Sequence, residues 1–118
     1  MTGNGRFAVT RRDEGEAVVL QVSGALDTIT APSLATHLDV VLTSGPAVLV
    51  VDLTGVDFLS SAGINLLVET HQLTTRTTTM LRVAADGPAT SRPLRSIGID
   101  EIVDVYPTVT EALHGRRR

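Results

Sequence analysis

Apolar positions along this chain follow two different periods, and the stretches carrying them alternate. Ala17 to Val22 and Ala47 to Val51 are short runs rich in valine. The second lies between Gly45-Pro46 and Asp52 and has no polar position, as a central strand covered on both faces must read. Leu34, Leu38, Val41 and Leu42 recur at three- and four-residue spacing, and so do Ile64, Leu67 and Val68. Each set predicts a helix with one buried face, and Asn65 and Glu69 fall on the polar side of the second.

Turn and cap residues divide the pattern further. Phe7 to Thr10 predicts a first strand, joined to Ala17–Val22 by the charged, glycine-containing loop Arg11 to Glu16 in an antiparallel hairpin. Gly24 to Asp27 leave the second strand. Thr30 and Pro32 start the first helix, where proline costs no hydrogen bond, and Gly45 with Pro46 stops it. Asp52 is expected to end the central strand, Leu53 to Leu59 to form a loop, and Ser60 or Ser61 to cap the second helix. Thr79 to Ala84 predicts another strand; Asp86, Gly87 and Pro88 predict a turn, then a short helix ending near Ile97 and Gly98 with Pro93 in its first turn. Ile102 to Val105 predicts the last strand, and Thr108 with Glu111 forms a capping box for a terminal helix that His114 and Gly115 close.

This alternation predicts an α/β fold: a mixed, mostly parallel sheet with an antiparallel first strand and about four helices. The whole chain, residues 1–118, is expected to be one domain with its core at about 7–113 and tails at 1–6 and 114–118. Composition narrows the function. Phe7, Phe58 and Tyr106 are the only aromatics, so the core is aliphatic and stacking platforms for single-stranded nucleic acid are missing. A net charge of −3, with Arg116 to Arg118 the sole basic run, argues against a nucleic-acid or membrane partner. The chain has neither cysteine nor lysine, which rules out thiolate chemistry, Schiff bases and a P-loop lysine. His37, His71 and His114 lie on three different predicted helices, so no metal is expected. The polar start and the short, charge-flanked Ala17–Val22 run do not make a signal peptide, and a cytoplasmic location is expected.

Sites in such sheets gather where strands end and helices begin, because helix N-termini there offer unpaired N–H groups. Two places qualify: the Gly24–Asp27 exit and the Asp52–Gly63 crossover. The segment from Val50 to Val68, VVDLTGVDFLSSAGINLLV, resembles the signature of the STAS family, the sulphate transporter and anti-sigma antagonist domain. Asp52 and Leu53 fall on its Asp-Leu, Phe58 and Leu59 on its apolar pair, Ser61 on its phosphorylated serine and Gly63 on its glycine. Gly24, Leu26 and Asp27 fit its Gly-Glu-Leu-Asp, with Ala25 in place of the glutamate. Ser60 stands where antagonists carry aspartate, and Ala62 where they carry a second serine.

The resemblance implies an anti-sigma factor antagonist that is not an enzyme and holds no cofactor. It would bind an anti-sigma factor that is an ATPase-fold serine kinase and so release a sigma factor. Phosphorylation of Ser61, with Ser60 as the alternative acceptor, would switch it off, and a serine phosphatase would reverse this; ATP and Mg²⁺ belong to those partners. Asp27, Asp52, Ser60, Ser61, Ala62 and Gly63 would meet the partner, and the protein is expected to be a monomer. Residue chemistry leaves other roles open: a plain N-cap for Ser61, and loop or strand-end caps for Asp27 and Asp52. A STAS module of another complex, stressosome-like or nucleotide-sensing, shares the same features. The strand-then-aspartate VVDLTG also resembles aspartyl-phosphate enzymes, but Thr54 stands where dehalogenase-like phosphatases need a second aspartate, and receivers need a lysine. Ser61 likewise lacks a Gly-x-Ser-x-Gly elbow.

Overall fold

A hairpin starts the sheet: β1 (Ala8–Glu14) runs antiparallel to β2 (Ala17–Leu26), with Glu14 opposite Ala17 across the two-residue turn Gly15-Glu16. The computed structural model describes residues 6–115, so most of the expected tails and the Arg116–Arg118 run lie outside the described residues. The first strand is longer than expected, and Arg11 to Glu14 belong to it rather than to a loop. The charges misled because they sit on an edge strand, which uses them to repel other edges. Residues two apart share a strand face, and Arg11 pairs with Asp13 at 2.9 Å and Arg12 with Glu14 at 2.7 Å.

After the hairpin, three parallel crossovers build the sheet one strand at a time in the order β1-β2-β3-β4-β5. Helix α1 (Ala31–Ser44) leads to β3 (Val48–Leu59), and α2 (Ser61–Thr74) leads to β4 (Met80–Ala84). Helix α3 (Ser91–Ser96), with Pro93 in its first turn, and a 3₁₀ turn at Ile99–Glu101 lead to β5 (Asp104–Tyr106). Steps in one direction through crossovers of one hand deliver every crossover helix to the same face. Leu34, Leu38, Val41, Ile64, Leu67, Leu94 and Ile99 accordingly share one core with Val18, Leu20, Leu49, Val51, Leu81 and Val83. The last strand begins two residues later than expected, since the 3₁₀ turn uses the chain through Glu101.

Helix α4 (Val109–His114) covers the opposite face, where Ala112 packs with Val19, Val50, Ala84 and Tyr106. Its capping box forms as the sequence predicts: Thr108 Oγ1 accepts from the Glu111 N–H at 3.1 Å. Arg82, on β4, holds the other end. Its Nη1 donates to the carbonyls of Ala112 at 3.0 Å and Leu113 at 3.3 Å.

The largest departure from expectation is in β2 and β3, which do not stop at Val22 and Asp52. Asp52 is the last β3 residue paired with β4, opposite Ala84. Beyond it β3 continues on β2 alone, with Ser23 opposite Gly55, Gly24 opposite Val56, Ala25 opposite Phe58 and Leu26 opposite Leu59. β1 still flanks β2 as far as Ser23, and beyond it the pair is a two-stranded ribbon; two register shifts interrupt the β2–β3 pairing, after Gln21 and after Gly24. Gly24 takes a φ of 87°, which a side chain would resist at such a bulge. The shifts destroy the two-residue period, and so the ribbon reads as loop from sequence.

Val50 is fully buried, facing α4 on the second face. Val50→Asp should therefore unfold the domain, because an uncompensated carboxylate costs several kcal/mol against a total stability of about 5–15 kcal/mol. Circular dichroism that shows a folded variant with an unchanged melting temperature would contradict this packing.

Candidate functional site

The ribbon ends with both strands at one level. Leu26 and Leu59 turn their side chains into the main core, and the next residue of each strand begins a path into a helix. One backbone bond ties the two exits: the Ser60 N–H donates to the Leu26 carbonyl at 3.0 Å.

On the β2 side the carboxylate of Asp27 organises a tight turn. Its Oδ1 accepts from the backbone N–H of Thr30 at 3.1 Å and of Ile29 at 3.0 Å. Thr30 completes the turn by accepting from the Asp27 N–H at 2.9 Å. The single Thr30 hydroxyl proton goes to the Ala25 carbonyl at 2.7 Å, the shorter of its two contacts; the other, to Asp27 Oδ1, is 3.2 Å. The Thr30 N–H above all holds the Asp27 carboxyl below its ordinary value, against a smaller opposing effect of partial burial. Thr30 occupies the N-cap position of α1, but no side chain there makes a cap bond to the helix.

On the β3 side Ser60 is the N-cap of α2 in extended conformation, with φ −90° and ψ 173°. Its carbonyl accepts the first helical bond from Ile64 at 3.1 Å, yet its hydroxyl makes no cap bond. Ser60 Oγ is buried and has no hydrogen-bond partner. Ser61, the first helical residue, is exposed, and the first turn carries no acidic side chain. The N-terminus of α2 thus presents its positive dipole end without a counter-charge, beside an accessible hydroxyl.

The remaining expected site residues divide sharply. Ala62 is half-buried beside Ser61. Gly63 is buried, and a Cβ placed on it would lie 2.8 Å from Leu26 Cγ and 2.8 Å from Leu59 Cδ1. The glycine is there so that α2 can sit down on the two leucines that close the ribbon. Asp52 is not at the tip. It lies about 20 Å of strand below Leu59, 4% exposed, and its Oδ1 accepts from Thr54 N at 2.9 Å and Thr54 Oγ1 at 2.7 Å. The structure therefore brings Asp27, Ser60, Ser61, Ala62 and Gly63 together and leaves Asp52 outside.

Two tip residues escape a reading by pattern. Ile29 is 87% exposed in the Asp27 turn, and Phe58 is 55% exposed at the end of β3. An isoleucine isolated among Asp27, Thr28 and Thr30 was a signal for the first. Phe58 falls on the motif's apolar pair, but its exposure had no signal, since the register shift before it sets its place on the strand. His37, His71 and His114 lie on α1, α2 and α4, and among the described residues no group of three or more acidic or histidine side chains could hold a metal ion. Among the same residues no helix is long and apolar enough to cross a membrane.

A five-stranded mixed sheet, three helices on one face and an exposed serine at the start of the second helix define a small signalling module of the STAS type. The STAS domain model matches residues 8–112. The anti-sigma-F factor antagonist RsfB of Mycobacterium tuberculosis is 32% identical over 117 residues, covering 99% of this chain and 95% of that one. The crystal structure of an anti-sigma factor antagonist from Mycobacterium paratuberculosis superposes with a TM-score of 0.89 at 34% identity, over 100% of both chains. The unphosphorylated form of SpoIIAA, an anti-sigma factor antagonist, shares the fold at a TM-score of 0.67 and 14% identity, over 94% of this chain and 100% of that one. The chain belongs to the STAS-domain family of anti-sigma factor antagonists.

Two outcomes follow from the packing and the turn. Gly63→Ala should lower the melting temperature, because overpacking against Leu26 and Leu59 costs about 1–3 kcal/mol and outweighs the gain of about 1 kcal/mol from helix propensity. The lowered Asp27 value means that its stabilisation is present above the ordinary value of 3.8 and disappears as pH falls through the lower native value. Asp27→Asn keeps an acceptor and does not titrate. The stability gap between wild type and Asp27→Asn should be constant from pH 7 to 5 and close below about 3.8, as read from urea midpoints. An equal gap at pH 6 and pH 2 would contradict the turn's hold on the carboxylate.

Proposed function

We propose that the protein is an anti-sigma factor antagonist that binds an ATPase-fold anti-sigma kinase, frees a sigma factor for transcription, and is switched off by phosphorylation of Ser61. The observation that carries this reading is the accessible Ser61 hydroxyl at an uncapped, acid-free helix N-terminus, beside a Ser60 hydroxyl shut away from solvent. A kinase can reach Ser61 without opening the fold. A phosphate adds about −1.5 to −2 charges; the α2 N-terminus accepts them locally, while the face shown to the partner becomes strongly anionic. Asp57, exposed on the same ribbon, adds to that field.

In this reading the protein carries out no reaction. The partner kinase supplies ATP and Mg²⁺, and a serine phosphatase restores the binding form. The protein works as a cytoplasmic monomer, with neither nucleic acid nor membrane as partner. Contact with the partner is made by Ser61, Ala62 and the Asp27 turn, whereas Gly63 and Ser60 support that surface from below and Asp52 holds the strand.

Calorimetric titration into the purified anti-sigma factor tests this. Ser61→Asp should bind more weakly by about 2–5 kcal/mol, the cost of an unpaired charge in an interface, or roughly thirty-fold to several thousand-fold in Kd. Ser61→Ala should bind as wild type does, and its melting temperature should hold because the Ser61 hydroxyl caps nothing. After incubation with the partner and ATP, mass spectrometry should find phosphate on Ser61. Phosphate on Ser60 alone, or equal affinities for Ser61→Asp and wild type, would refute the switch.

A further inference from the structure

We propose that Ile29 is the apolar anchor by which the tip docks on the anti-sigma factor, and that Asp27 serves this contact by shaping the turn and not by its charge. The proposal rests on the reading of Ser61 as the kinase's target. A serine in the first turn of a packed helix cannot extend into a kinase cleft as a flexible peptide would. The kinase must instead grip the folded surface around it, and that surface has to supply binding energy near the hydroxyl.

Interface energy concentrates in a few desolvated side chains. The tip offers two of them. Among the described residues Ile29 is the most exposed large apolar side chain, at 87%, and Phe58 stands 55% exposed. Both hang on the same pair of β2 residues that positions Ser61. Ala25 pairs with Phe58 and its carbonyl accepts the Thr30 hydroxyl at 2.7 Å, while Leu26 accepts the Ser60 N–H at 3.0 Å. The other exposed apolar residues sit elsewhere, Val40 on α1, Leu73 on α2, Met80 at the start of β4, Ile97 at the end of α3 and Ile102 after the 3₁₀ turn, and none is tied to this pair.

An exposed isoleucine is unremarkable when it stands alone on a surface. Here it is held fixed. Its own N–H donates to Asp27 Oδ1 at 3.0 Å, the next N–H donates to the same oxygen at 3.1 Å, and Ala31 N donates to the Asp27 carbonyl at 2.8 Å. A side chain presented on a cross-linked turn loses little freedom on binding, which is the advantage of preorganisation. Every bond that Asp27 Oδ1 accepts comes from within the turn, so its role is that of a positioning residue.

Variants titrated into the purified anti-sigma factor decide the matter. Ile29→Ala should weaken binding about ten- to one-hundred-fold with an unchanged melting temperature. Asp27→Ala should weaken it comparably, Asp27→Asn should stay within about three-fold of wild type because its amide oxygen accepts the same two N–H bonds, and the Asp27→Ala, Ile29→Ala double variant should lose no more than the worse single one. Wild-type affinity for Ile29→Ala, or equal losses for Asp27→Asn and Asp27→Ala, would overturn the proposal. Ser61→Asp run alongside separates the two readings: if it loses affinity while Ile29→Ala does not, the switch stands and the anchor falls. If wild type itself does not bind, both fall.

Discussion

The backbone bond from Ser60 to Leu26 is the constraint on which the tip depends. Past Asp52 the β2–β3 ribbon has lost the support of β4, and a two-stranded piece is marginal in water. It persists because its end is clamped twice. The Leu26–Ser60 bond fixes the level at which both chains leave, and Leu26 and Leu59 are driven beneath α2, where Gly63 leaves room for them. Everything of functional interest is attached to this clamp: the Asp27 turn one residue beyond Leu26, and the first turn of α2 one residue beyond Ser60.

The helix start is left electrically open on purpose in the sense that matters physically: no side chain fills it. A capped helix with an acid in its first turn would already have met its N–H groups, and a phosphate there would add repulsion without gaining bonds. The Ser60 hydroxyl, turned inward and unpaired, costs stability by leaving a buried polar group without a partner. With that hydroxyl turned inward the first N–H groups of α2 have no side-chain acceptor, and unsatisfied groups of this kind often collect at working sites.

What the sequence revealed follows from what is local. The faces of α1 and α2, the apolar central strand, the Thr108–Glu111 box and the order of elements were legible because each is written within one turn or one strand. The ribbon was not, because whether Gly55 to Leu59 is strand depends on a partner strand and on bulges that break the period. The charged second half of β1, Arg11 to Glu14, was hidden for a related reason: an edge strand obeys solubility rather than alternation. Gly63 stood out as a motif glycine, but only the packing gives its cause, two leucines that approach from different strands. Ser60 and Ser61 were both credible caps by residue type. Neither hydroxyl caps, and what separates them is burial: Ser60 Oγ is shut away without a partner and Ser61 is exposed.

The strand order has a consequence for synthesis on the ribosome. Because β1 to β5 lie in the sheet in the order in which they are made, each strand emerges beside a neighbour that already exists, and none waits for a distant partner. The whole tip, from Gly24 to Gly63, is encoded in the first 63 residues. It therefore leaves the exit tunnel before β4, β5 and α4, which later cover the far edge and the rear face of β3. A nascent chain arrested after α2 would display the tip on an unfinished body, with Val50 bare until α4 arrives. The tip is thus made before the strands and the helix that complete the sheet around it.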